Sequence, residues 1–128
     1  MSYHFSKTVT GSWDEARERV TEALKKEGFG ILTEIDVKAT MKKKLDVDFR
    51  NYKILGACNP PFAYEALKAE DKIGLMLPCN FIVQEKETGK VEVSCVNPIV
   101  TMSSVKNPNL ENLANDVKNK LINVINNL

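Results

Sequence analysis

The chain has 128 residues, 43% of them apolar and 27% charged, enough for one soluble domain whose core needs no disulfide or metal. Eighteen Lys and Arg against seventeen Asp and Glu leave a net charge of +1, so the basic excess usual in nucleic-acid-binding domains is missing. No apolar run approaches the ~20 residues that span a bilayer, and Met1-Ser2-Tyr3-His4-Phe5 lacks the pattern of an export signal. The expectation is a cytoplasmic protein with no membrane and no nucleic-acid partner.

Tyr3 to Thr10 alternates loosely and reads as a first strand, broken by Gly11. Ser12-Trp13-Asp14-Glu15 has the form of a capping box, in which Ser12 accepts the Glu15 amide and the Glu15 side chain reaches back. Trp13, Ala16, Val20, Ala23 and Leu24 fall on one helical face, and Gly28 suits a left-handed stop. Phe29-Gly30 leads into a second strand with Ile31, Ile35 and Val37 on one face and Glu34 and Asp36 on the other. Val37, Met41 and Leu45 then recur every four residues, the spacing of a short helix capped by Asp36 with Lys42, Lys43 and Lys44 outward.

Tyr52 to Cys58 reads as a strand. Asn59 is placed to cap a helix that opens at Pro60 and carries Phe62, Ala66, Leu67 and Ala69 on one face. Ile73 to Leu77 is apolar up to Pro78 and leaves room for one or two strands before the next turn. Asn80–Lys86 and Lys90–Val96 form a hairpin around Glu87-Thr88-Gly89, a type I turn followed by a left-handed Gly. That register pairs Lys86 with Lys90, Val83 with Val93, Phe81 with Cys95, and Cys79 with Asn97. It gathers Cys79, Phe81, Val83, Val91, Val93 and Cys95 on one face and Gln84, Lys86, Lys90, Glu92 and Ser94 on the other, and a one-residue slip would mix the two. A short apolar stretch, Ile99–Met102, precedes a helix opened by Pro108 with a broad stripe that includes Leu113, Val117, Leu121 and Val124. The whole reads as a single α+β domain over residues 1–128: one mostly antiparallel sheet with helices on one face.

The most informative positions are three cysteines, each followed by Asn: Cys58-Asn59-Pro60, Pro78-Cys79-Asn80 and Cys95-Val96-Asn97-Pro98. Each sits where an apolar run breaks at a Pro, so the three breaks could line one end of the sheet. Three is an odd number, and without an export signal the expectation is free thiols. Cys79 and Cys95 are diagonal in the hairpin, ~7–8 Å apart, against the ~3.5–4.5 Å between the Cβ atoms of a disulfide; a Cys58–Cys79 bridge stays open. The cysteines lack the close pair of zinc motifs, and His4 is the single histidine, so no metal and no cofactor is expected.

Gly28-Phe29, Glu34-Ile35-Asp36-Val37, Tyr52 to Pro60, Ile73-Gly74 and Leu77-Pro78-Cys79-Asn80 together resemble the domain of unknown function 302 family, a bacterial and archaeal family of small domains. The resemblance runs from about Gly28 to Met102. It implies a prokaryotic protein with a compact α+β fold similar to the TATA-binding-protein-like class, and it brings no activity, cofactor or catalytic residue.

Read from the residues, the candidate ligand site is Cys58, Asn59, Phe62, Cys79, Asn80 and Asn97, with no catalytic residue assigned. Cys58 stands just before a helix start, a position that favours a thiolate; the plainer reading is a small core residue. The three asparagines could bond a ligand, but Asn also caps helices and builds turns. His4 reads as an edge residue. Asp46 and Asp48 do not follow a calcium loop, and no Gly loop cradles phosphate. Three functions compete: non-enzymatic binding of a small molecule or protein partner at the Cys58/Cys79 end, thiol redox or transfer by Cys58 with Cys79, and a self-associating module such as a homodimer. The absent Cys-x-x-Cys counts against the second.

Overall fold

The structure, a computed structural model, describes residues 2–128. Strand β1 (His4–Thr10) ends at Gly11, and the Ser12 hydroxyl accepts the Glu15 amide at 3.1 Å to start helix α1 (Trp13–Lys26). Ala16, Val20, Ala23 and Leu24 are its buried residues. The helix stops at Gly28, whose φ of +83° suits a residue without Cβ, and the amides of Gly28 and Phe29 turn back to the carbonyls of Lys25 and Leu24.

Strand β2 (Gly30–Asp36) departs from the expected alternation. Its register against β3 (Tyr52–Cys58) shifts between Ile31 and Thr33, a bulge that makes Leu32 the extra residue. Ile31 lies opposite Ala57 and Ile35 opposite Ile54, which β3 places on different faces, so the two isoleucines do not share one. Glu34 takes the helix side instead, where Arg17 of α1 bonds it at 2.6 Å and Lys53 lies 3.9 Å away. Val37 belongs to helix α2 (Val37–Leu45), capped by Asp36 through the Ala39 amide at 3.0 Å.

Helix α3 (Pro60–Ala69) follows β3. Ile73–Leu77 does not add a strand: Ile73–Met76 is a 3-10 helix that buries Ile73 and leaves Leu75 86% exposed. A short apolar run carries no period long enough to tell one state from another. Strands β4 (Cys79–Glu87) and β5 (Lys90–Val96) keep the expected hairpin register from Phe81↔Cys95 through Val83↔Val93. At the turn Glu87, not Lys86, pairs with Lys90, because a bulge between Glu85 and Glu87 accompanies Gly89 at φ +81°. At the other end β5 stops at Val96, and the Asn97 amide bonds the Tyr3 carbonyl at 2.7 Å instead of extending the pairing to Cys79. Ile99–Met102 winds into a helical turn, α4 (Pro98–Thr101), and α5 (Pro108–Asn126) closes the chain.

The five strands form one sheet in the order β1-β5-β4-β3-β2, antiparallel throughout. Helices α1 and α5 cover one face, where Phe81, Val83, Val91, Val93 and Cys95 meet Val20, Leu24, Leu121 and Val124 in the main core. Gln84 and Ser94 lie on the polar face yet are buried, since Arg50 donates to Gln84 at 2.9 Å and the hydroxyls of Ser6 and Ser94 lie 2.7 Å apart. Helix α5 does two jobs. Its later turns seal the sheet, while Leu110 and Leu113 near its start join Ala66, Ile73, Leu77 and Met102 in a second, smaller cluster.

Candidate functional site

Antiparallel order brings the three cysteine-bearing breaks to one end of the sheet. β3 ends at Cys58 where β4 begins at Cys79, and β5 runs back to the same end past Cys95. Cys79 lies opposite Ala57, one residue short of Cys58, and Cys95 lies opposite Phe81. All three are free thiols, Cys79 and Cys95 buried and Cys58 half-buried. Burial, helped by the neighbouring Cys58, pushes the Cys79 thiol up to about 11. Burial and then Cys79 push Cys95 up to about 12, against a hydrogen bond with the Phe5 backbone. Both therefore stay protonated near neutral pH and are poor nucleophiles.

Beside this end lies an apolar pocket of about 50 Å³. It forms where the two hydrophobic clusters meet: Phe29, Ala57, Cys79 and Val117 come from the first, and Ala66, Leu77, Met102, Leu110 and Leu113 from the second. Helix α5 contributes to both clusters, and Phe62, Ala63 and Ala66 of α3 line the seam between them. Phe62, on α3, forms a wall, and Lys120 of α5 lies 5.9 Å over its ring.

Of the six candidate residues, Cys58, Asn59, Phe62 and Cys79 line this pocket. Asn80 does not. It is exposed and pairs with Gly56, on the face turned away from the helix layer. Asn97 is 2% exposed and fully used: its Oδ1 caps α4 through the Ile99 amide at 3.1 Å, and its Nδ2 donates to the Ser2 carbonyl at 3.1 Å. Asn59 occupies the cap position of α3 but makes no side-chain cap bond. Its Nδ2 donates instead to the Glu27 carbonyl at 3.2 Å, tying the end of β3 to the end of α1 beside Gly28. Pro60 and Pro61 also remove the first two amides of α3, so the helix start beside Cys58 offers few donors.

His4 is exposed, 2.8 Å from Ser6 on the polar face of the sheet, and does not line the pocket. Among the described residues no group of three or more His, Cys, Asp or Glu gathers in metal-ligand geometry. The walls that sequence reasoning missed are Met102 and the first turns of α5. Their signal was the width of the α5 stripe, which exceeds what one sheet face requires.

A family model for the domain of unknown function DUF302 matches residues 5–128, well beyond the Gly28–Met102 span that carries the resemblance in sequence. The chain belongs to this family. It is also similar to a solved DUF302 protein, the crystal structure of an uncharacterized conserved protein from Bacillus stearothermophilus. The two are 29% identical, the match covers 99% of this chain and 98% of that one, and the TM-score is 0.90. No curated protein matches the chain. Within this DUF302 domain, no helix among the described residues is long and apolar enough to cross a membrane.

Proposed function

We propose that this DUF302 domain is a non-enzymatic binding module whose pocket at the Cys58/Cys79 end takes a small apolar molecule. The observation that carries the reading is the chemistry of the walls. They are hydrocarbon and sulfur, the one amide among them, Asn59, is bonded to Glu27, and the Cys79 thiol is held neutral. Binding sites are concave and mostly apolar, and empty apolar cavities stay dry and accept apolar guests. Acid–base chemistry needs a titrating group within hydrogen-bond reach of a reacting atom, and the single histidine lines a different surface. Thiol redox with Cys79 as resolving residue is disfavoured by that same raised thiol and by the two prolines that open α3.

Xenon is a suitable first probe, being apolar and without directional demands. Methyl NMR under xenon pressure is expected to shift Ala57, Leu113, Ala114 and Val117 selectively. Shifts spread evenly over the core, or none at these methyls, would remove the proposal.

A further inference from the structure

Helices α1 and α5 seal one face of the sheet. On the other face the register aligns Ile35 of β2, Ile54 of β3 and Ile82 of β4 in one row across three strands. None of the three belongs to either core cluster. Ile35 is 48% exposed, Ile54 and Ile82 are half-buried, and helix α2, beside β2 and β3, buries none of its own residues. The polar neighbours of this row are already bonded to one another. Ser94 lies opposite Ile82 and is tied to Ser6, while Gln84 accepts from Arg50 and donates through Nε2 to Glu92 at 3.3 Å. Ser94 and Gln84 are buried in the single chain, so covering the face strands neither of them.

The charges on this face point to its occupant. Gln84 sits on β4, the middle strand of five, with Arg50 beside it on the β3 side and Glu92 opposite it on β5. Among the described residues Arg50 has no ion-pair partner. A two-fold axis along the middle strand exchanges the two sides. We infer that a second copy of this chain docks on the open face, sheet against sheet, about such an axis. Ile82 then meets its own copy, Ile54 lies over the partner's Ser94, and Arg50 meets the partner's Glu92, twice per dimer. A two-fold axis across the strands would instead set Glu92 on the partner's Val96 and leave both charges unpaired. Strands ~4.8 Å apart and same-face rows ~7 Å apart make this face about 500 Å². Two copies bury about 1,000 Å², the lower bound of a specific interface, so the dimer is reversible. The wide α5 stripe is not the contact, because the second cluster inside the chain takes up its excess. The inference stands apart from the pocket, which none of these residues lines.

The test is sedimentation equilibrium of the full chain from about 5 µM to about 1 mM. The mass is expected to rise from 14.4 kDa toward twice that value. Ile82→Lys sets two like charges together on the axis and is expected to weaken association at least about tenfold. Arg50→Glu and Glu92→Arg, each alone, are expected to weaken it by a similar factor. An equimolar mixture of those two variants is expected to form heterodimers, because each pair across the interface is again one acid and one base. Contacts within a chain cannot produce that rescue, since each variant still carries two like charges beside Gln84. A natural chain that stays monomeric throughout, unchanged association of Ile82→Lys, or a mixture that fails to dimerise overturns the inference. If the variants do not fold by circular dichroism, concentration-dependent methyl shifts of the natural chain decide. Shifts at Ile35, Ile54 and Ile82 support the open face, and shifts confined to the exposed Leu67 and Leu75 overturn it.

Discussion

Raising the pH tests how deeply the sheet-end thiols are held. A cysteine ordinarily titrates near 9.0, whereas Cys79 is pushed up to about 11 and Cys95 to about 12, chiefly by burial. A group with a raised folded pKa contributes its full stability below the unfolded value and loses it as pH climbs toward the folded one. Below pH 8 both states hold both protons and the thiols leave stability independent of pH. Between pH 9 and 11 the unfolded chain releases protons that the folded chain keeps, and stability falls. At pH 10 the loss is about 1.3 kcal/mol for each thiol relative to pH 8, or roughly 2.5 kcal/mol for the pair. Urea denaturation at pH 8 and pH 10 measures this, with Cys79→Ala and Cys95→Ala as references in which each share is removed. The comparison between variants cancels the titration of lysines and tyrosines. If each alanine variant loses as much stability as the natural chain between these two pH values, the thiols are not buried as described and the reasoning fails.

Leu121 is fully buried between α5 and the sheet; Leu121→Ala removes three carbons and leaves a cavity, so a loss of about 3–4 kcal/mol is expected, and a loss under 1 kcal/mol by urea denaturation would contradict the packing. At Gly56 a Cβ would collide with the Thr33 hydroxyl and sit 2.6 Å from the Pro78 ring, so Gly56→Ala is expected to lower stability by about 1–3 kcal/mol, and a melting temperature within a degree of the natural one would show that the strands yield freely there. Iodoacetamide read by mass spectrometry is expected to label Cys58 well before the buried Cys79 and Cys95, and equal rates in the folded protein would place all three thiols in one environment.

Much of this molecule was legible because the signals were local. The hairpin register followed from the alternation of Phe81, Val83, Val91 and Val93 around one glycine turn, the α1 stop from Gly28, and the α2 cap from Asp36. The cysteine-bearing breaks and the prolines beside them located one end of the sheet, because in an antiparallel order a strand's finish lies beside its neighbour's start. Tertiary structure alone decided the rest. Nothing in Gly30–Asp36 announces the bulge at Leu32; it lets Glu34 reach Arg17 on a helix that the strand cannot see in sequence. Asn59 carried the right residue type for a cap, but Glu27, 32 positions away, claims its amide. Asn80 and Asn97 share a motif with Asn59, yet one faces away from the helix layer and the other is consumed by α4 and the N-terminal segment. The pocket itself is a seam between two clusters joined by α5. A seam is set by how far two packed surfaces fail to meet, and that distance is a property of the folded arrangement rather than of any stretch of chain.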